Sequence, residues 1–179
     1  SDVDRVLKEL EDISKDVEDK TREVLKRLKE ISDEVKKRSE DINREIARIV
    51  EDLERRRDER FVERVKREAD RLLKESRDIH RRVMRELEKL LEDVERIHRE
   101  AIKTLEDLLR KVEKKVSKGD KEKVKDARRV VRELVERNKE IVRRAAEVVK
   151  KLKKENAKLV EDNTREVKKW KERLERRRR

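Results

Sequence analysis

Few residues in this chain could do chemistry, and they are widely spaced. His80 and His98 are its two histidines. They stand 18 residues apart, roughly 27 Å along a helix, so they cannot share a metal ion. The chain has no cysteine, and no carboxylate occupies the apolar stripe around either histidine. A zinc site needs about four converging ligands, and none assemble here. Ser14 and His98 could be imagined as a nucleophile and its base. Such a pair also needs a pocket and donors for an oxyanion, and a structural hydrogen bond is the simpler reading. Gly119 is the one glycine, so there is no Gly-rich phosphate loop. These residues predict no catalytic centre, no cofactor and no metal, and the chain reads as a non-enzyme.

The elements that must position these residues are set by one repeat. From Arg5 the chain runs RVLKELEDISKDVEDKTR, EVLKRLKEISDEVKKRSE and DINREIARIVEDLERRRD, three blocks of 18 residues. Apolar slots superpose: Val6/Val24/Ile42, Leu10/Leu28/Ile46, Ile13/Ile31/Ile49 and Val17/Val35/Leu53. Eighteen residues make five turns at about 3.6 residues per turn, the pitch of an unstrained helix. A heptad would impose a left-handed supercoil and an 11-residue repeat a right-handed one, so the expectation is nearly straight helices. On each helix the slots fill an arc roughly 120° wide, the face a helix shows to a core.

Shifts of phase divide the chain into three. The second stripe carries Phe61/Ile79/Ile97, Val65/Val83/Ala101, Ala69/Leu87/Leu105 and Leu72/Leu90/Leu108. It would sit about 120° from the first on one continuous helix, so a break falls near Arg55–Arg60, with Asp58 the best N-cap. Ser1 and Asp2 cap the first helix on the same grounds. In VSKGDKEKV, Gly119 and Asp120 are stop and start signals. The third stripe carries Val124/Val142/Val160, Ala127/Ala145, Val131/Val149/Val167 and Leu134/Leu152/Trp170. The expected fold is all-α: an antiparallel up-down-up bundle of three nearly straight helices at about 2–57, 59–117 and 120–177. Each is roughly 85 Å long at 1.5 Å per residue. No linker composition interrupts it, so residues 1–179 are expected to form one domain.

Polar residues interrupt the stripes at Ser14, Thr21, Ser32, Ser39, Asn43, Ser76, His80, His98, Asn138, Asn156 and Asn163. With turns near 58 and 119, first-helix and second-helix positions are level when their numbers add to about 116, second and third when they add to about 238. His98 then lies level with Ser14, Thr21 and Asn138. His80 lies level with Ser32, Ser39 and Asn156, and Asn43 with Ser76 and Asn163. An unpartnered buried polar group costs roughly 1–3 kcal/mol. Three matched layers therefore predict mutual hydrogen bonding that penalises slipped registers.

Composition bounds the rest. Of 179 residues, 59% are charged and 32% hydrophobic, with no proline and no tyrosine. Charge this high with few aromatics can mean disorder, but a disordered chain has no use for strict apolar periodicity, and the composition is that of long helices. No run reaches the roughly 18 apolar residues of a membrane span and no signal peptide is visible, so a soluble protein is expected. From Asp120 to Arg179, 24 Lys/Arg stand against 13 Asp/Glu, a surplus of 11 within the chain's net +12. A solvated helix face explains this best, and an anionic membrane or nucleic acid is the alternative partner. Otherwise no partner is required, with self-association open to the edge residues Met84, Ile102, Val130 and Val135.

The 18-residue repeats, the proline-free loops with Lys118–Asp120, the Lys/Arg/Glu/Asp surface and the His/Asn/Ser layers resemble a de novo designed, parametrically generated helical bundle with buried hydrogen-bond networks. The resemblance covers the whole chain. It implies a structural scaffold, a programmed oligomer or a switchable assembly. Buried histidine layers in such designs serve pH-responsive disassembly, an implication that falls on His80 and His98. A membrane-associated rod similar to a BAR domain is the natural counterpart, favoured by helix length and the basic third segment. The straight repeat and the near-absence of aromatics set the chain apart from it. Spectrin-like repeats have helices about half as long that follow heptads.

Overall fold

A computed structural model of the chain describes residues 2–56, 59–115 and 121–178. They form three α-helices: α1 Asp2–Arg56, α2 Glu59–Lys115 and α3 Lys121–Arg178, of 55, 57 and 58 residues. No strand occurs among the described residues. The three-helix all-α expectation therefore holds, including the break that no Gly or Pro marks. The expected caps Ser1, Asp58 and Asp120, and the stop at Gly119, lie outside the described residues. Each helix persists because its interior lacks proline and glycine, the two residues that most disfavour a helix. Glu59 and Glu122 stand in the first turns of α2 and α3, where negative charge suits the helix dipole. Same-helix ion pairs line the outside, among them Asp16–Lys20 at 3.0 Å and Glu140–Arg143 at 2.8 Å. Pairs of this kind add roughly 0.2–0.5 kcal/mol each.

Packing divides the chain into two compact units, each taking a stretch from all three helices: Ser1–Leu28 with Glu88–Val149, and Lys29–Leu87 with Lys150–Arg179. In unit 1 the core gathers Leu10 from α1, Leu105 from α2 and Val131 from α3, flanked by Ile13, Leu108 and Leu134. Leu10 and Leu105 are fully buried, worth roughly 1.5–3 kcal/mol each in apolar transfer. Ion pairs join the helices at the margin: Arg137 meets Glu18 at 2.6 Å and Arg128 meets Glu113 at 2.7 Å.

Unit 2 has two apolar clusters. One holds Ile42, Ile46, Ala69, Leu72 and Val167, with Trp170 packed against it. The Arg173 guanidinium lies 5.2 Å from the centre of the Trp170 ring, a cation–π contact. The other cluster pairs Val65 with Leu174, flanked by Phe61 and Val62. Arg38 binds Glu75, its Nε at 3.1 Å, Lys171 binds Asp70, and Lys66 meets Glu175 at 3.3 Å. In this unit α3 numbers rise as their α2 partners fall, the order of antiparallel neighbours.

The central slots of the repeat are buried throughout, and its flanking slots are half-buried at some repeats. Leu10, Leu28 and Ile46 are all buried, as are Val65, Val83 and Ala101, and Ala69, Leu87 and Leu105. The edge residues Met84, Ile102, Val130 and Val135 are half-buried, and Val135 packs on the unit 1 core. Polar residues take core slots by substitution within the repeat. On α3 the slot filled by Ala127 and Ala145 is filled one repeat later by Asn163, and all three are buried. On α2 the slot of Val94 and Val112 is filled one repeat earlier by buried Ser76.

Candidate functional site: buried polar networks

In unit 1, His98 of α2 is buried between Thr21 of α1 and Asn138 of α3. The Thr21 hydroxyl donates to the Val17 carbonyl one turn earlier at 2.7 Å, and Thr21 Oγ1 lies 2.7 Å from His98 Nε2. The single hydroxyl proton is committed to the backbone. Nε2 must therefore carry the imidazole proton and donate it to Thr21 Oγ1. Nδ1 is left as an acceptor. Burial pushes the His98 pKa down from its ordinary value, and the neighbouring Asn138 carboxamide, which can accept from a protonated ring, opposes that. Asn138 stands beside the ring without a well-formed bond: His98 Nδ1 and both Asn138 amide atoms are buried with no partner among the described residues. A carboxamide turned to point its Nδ2 at Nδ1 would pair those two atoms. Ser14 is buried in the same unit, but Thr21 is the residue that reaches the histidine.

In unit 2, Asn163 of α3 donates from Nδ2 to Ser39 Oγ of α1 at 3.0 Å and to Ser76 Oγ of α2 at 3.1 Å. One carboxamide thus ties three helices, and all three side chains are buried. This corrects the expected layers. Ser39, expected level with His80 and Asn156, does line one cavity with both, but it takes its hydrogen bond from Asn163. Asn43, expected there, is only half-buried, and its Oδ1 is buried without a partner among the described residues. Ser39 and Asn43 lie one turn apart on the same face, about 6 Å along the helix. Connections whose geometry is not written in their residues do not fix level to better than that.

His80 and Ser32 are half-buried, and Asn156 is buried. His80 Nδ1 and both Asn156 amide atoms have no partner among the described residues. Burial lowers the His80 pKa below its ordinary value. His80 and Asn156 do share one feature with the serines: Ser39, Ser76, His80 and Asn156 line a common cavity of about 10 Å³.

The larger surface feature of unit 2 is a groove of about 850 Å³ between α1 and α2. Its floor is Ile31, Val35, Ile79 and Val83, and its sides carry Arg38, Arg71, Lys74 and Arg82 against Glu34, Glu75, Asp78 and Glu86. Arg38 spans it to Glu75, which holds the guanidinium pKa above its ordinary value, and Arg71 lowers the Glu68 carboxyl by hydrogen bonding to it. The groove is lined by balanced charge and aliphatic carbon, without a nucleophile, thiol or imidazole. The sequence stripe did not single out Arg38 and Glu75, which sit at its edge. Nor did it single out Val148, 39% exposed on α3.

Among the described residues no group of three or more His, Cys, Asp or Glu side chains could hold a metal ion. No described helix is long and apolar enough to cross a membrane. The imagined Ser14–His98 nucleophile pair has no counterpart, since the imidazole Nε2 is bound to Thr21. What the arrangement does is exchange hydrogen bonds between helices inside an apolar core.

No protein family matches the chain, and no curated protein matches it. Among solved structures, one described as a "Computationally designed three helix bundle" is similar in fold, with a TM-score of 0.58 at 19% identity, covering 98% of this chain and 83% of that one.

Proposed function

We propose that this chain is a de novo designed structural scaffold without catalytic activity, whose buried polar groups select helix register. The Asn163 carboxamide, shared between Ser39 and Ser76 on two other helices, carries the reading. A contact of this kind adds little net stability but makes misaligned packings costly, because each strands a buried donor or hydroxyl. The strict 18-residue repeat and the likeness in fold to a designed bundle support it. We also infer one domain across residues 1–179, because each helix runs unbroken between stretches assigned to the two units. No partner is required. The test is Asn163→Leu, followed by light scattering and denaturant unfolding. The expected result is a stability loss of roughly 1–3 kcal/mol, since both buried serines lose their donor, loss of the single-chain mass to a mixture of species, and one unfolding transition for the parent. A variant that keeps a single monomeric mass and one sharp transition removes the register role.

A pH response belongs to the same reading. His98 and His80 have folded pKa values lowered by burial, so acid favours the unfolded chain. A second reading rests on Lys150, Lys151, Lys154 and Lys158, exposed on α3 and free of ion pairs among the described residues. They form a cationic stripe for a polyanion. Saturable binding to an oligonucleotide or to anionic vesicles that survives roughly 0.15 M salt, where the Debye length is about 8 Å, would support it. Loss of all binding at that salt would leave only a solvated face.

A further inference from the structure

We infer that unit 2 contains an internal binding site for one water molecule, at the cavity shared by Ser39, Ser76, His80 and Asn156. Three observations converge there. The cavity measures about 10 Å³ as room for the centre of a water molecule, and a single buried water needs roughly 10–15 Å³ by that measure. Asn156, 1% exposed, lines it with both amide atoms unpartnered among the described residues. His80 lines it too, with Nδ1 in the same condition.

One water can take up three of these open groups. Ser39 and Ser76 each accept from Asn163 Nδ2, so each hydroxyl keeps its proton to donate. The water accepts from Asn156 Nδ2 and from one serine hydroxyl, and donates to the His80 Nδ1 lone pair. That makes three bonds, the number a buried water typically forms. The chemistry favours a neutral ligand over an ion. No carboxylate or thiolate lines the cavity, and Arg38, its one charged neighbour, is held by Glu75. Unit 1 differs in kind: Asn138 stands directly beside His98, and rotation of its amide can pair Nδ2 with His98 Nδ1 without a third party. The same residue pair, one repeat along each helix, can therefore meet directly in one unit and is bridged in the other.

A high-resolution crystal structure of the full chain tests this directly. The expected result is a single density peak within hydrogen-bond distance of Asn156 and His80. Asn156 bonded straight to His80 or to a serine, with no peak between them, overturns the inference. Water ¹⁷O relaxation dispersion in solution gives a second readout. Asn156→Leu and the double variant Ser39→Ala, Ser76→Ala should each lose one long-lived water relative to the parent, while Asn138→Leu should lose none. Equal counts in the parent and both cavity variants also overturn it.

Discussion

Replacing Thr21 by Val keeps the branched shape of the side chain and removes the hydroxyl that His98 Nε2 meets at 2.7 Å. The cost follows from proton ownership. With Thr21 present, Nε2 donates into an oxygen whose own proton is fixed on Val17. With Val, Nε2–H is a buried donor without an acceptor, a penalty of roughly 1–3 kcal/mol. Two effects reduce it: the new methyl gains about 0.8 kcal/mol of burial, and the ring can shift its proton to Nδ1 and donate to Asn138. The expected net loss is about 1–2 kcal/mol. His98→Leu alone should be milder, because the Thr21 hydroxyl still donates to Val17. The double variant removes both partners and should lie near the parent. Guanidinium unfolding of all four proteins closes a double-mutant cycle with an expected coupling of about 1–2 kcal/mol. A coupling below about 0.3 kcal/mol, with Thr21→Val as stable as the parent, would mean that the hydroxyl and the imidazole do not depend on each other.

Three further outcomes are expected. Stability should be level above about pH 6.5, the ordinary His value, and should fall as the pH drops below it, because the unfolded histidines take up protons that the folded ones resist. For His98, flanked by the neutral Thr21 and Asn138, the loss between pH 7 and 5.5 is at most about 1.3 kcal/mol. His80 adds a smaller part, with Arg38 lining the same cavity. Unfolding at both pH values should show a reduced loss in the His80→Asn, His98→Asn variant, and an unchanged loss would clear the histidines. Leu105→Ala removes a fully buried side chain packed with Leu10 and Val131 and should cost about 2–5 kcal/mol by guanidinium denaturation. A loss under 1 kcal/mol would show the core collapsing around it. Arg38→Met breaks a partly exposed bridge to Glu75 and should cost no more than about 1 kcal/mol. That difference should shrink in melting curves at high salt, and a salt-independent loss would point to packing instead.

The helices were legible because their stripe is periodic and its phase jumps. A 120° jump cannot be carried by one helix, so α1 had to end before Glu59 without a glycine to announce it. Level along the helices was less legible. The pairing of Thr21 with His98 followed from counting back across an assumed turn. The same count admits Ser39 with either Ser76 or His80, and Asn43 with Ser76, so it does not choose between neighbours one turn apart; the hydrogen bonds of Asn163 choose Ser39 and Ser76. Positions one turn apart differ in level by about 6 Å, which is no more than the tolerance of such a count. Rotation was also read imperfectly at Asn43, which shares a face with Ser39 but is only half-buried. The ion pair of Arg38 with Glu75 was invisible because long charged side chains at a stripe edge choose partners by three-dimensional proximity, and spacing in the chain does not encode that.

The slot that holds Ala127, then Ala145, then Asn163 has a consequence beyond its own hydrogen bonds. A stripe that repeats every 18 residues has translational symmetry: slide one helix by a repeat, and aliphatic side chains again meet aliphatic side chains. A slide by one repeat gives up about 27 Å of overlap, but over the remainder packing alone leaves the two arrangements nearly degenerate. Asn163 lifts the degeneracy, because a slide of α3 by one repeat would bring Ala145 opposite Ser39 and Ser76 and carry the carboxamide away from both. The slot sequence Ala, Ala, Asn works as an odometer digit: it reads zero at two settings and one at the third, so the helix can tell how far along its neighbours it has travelled.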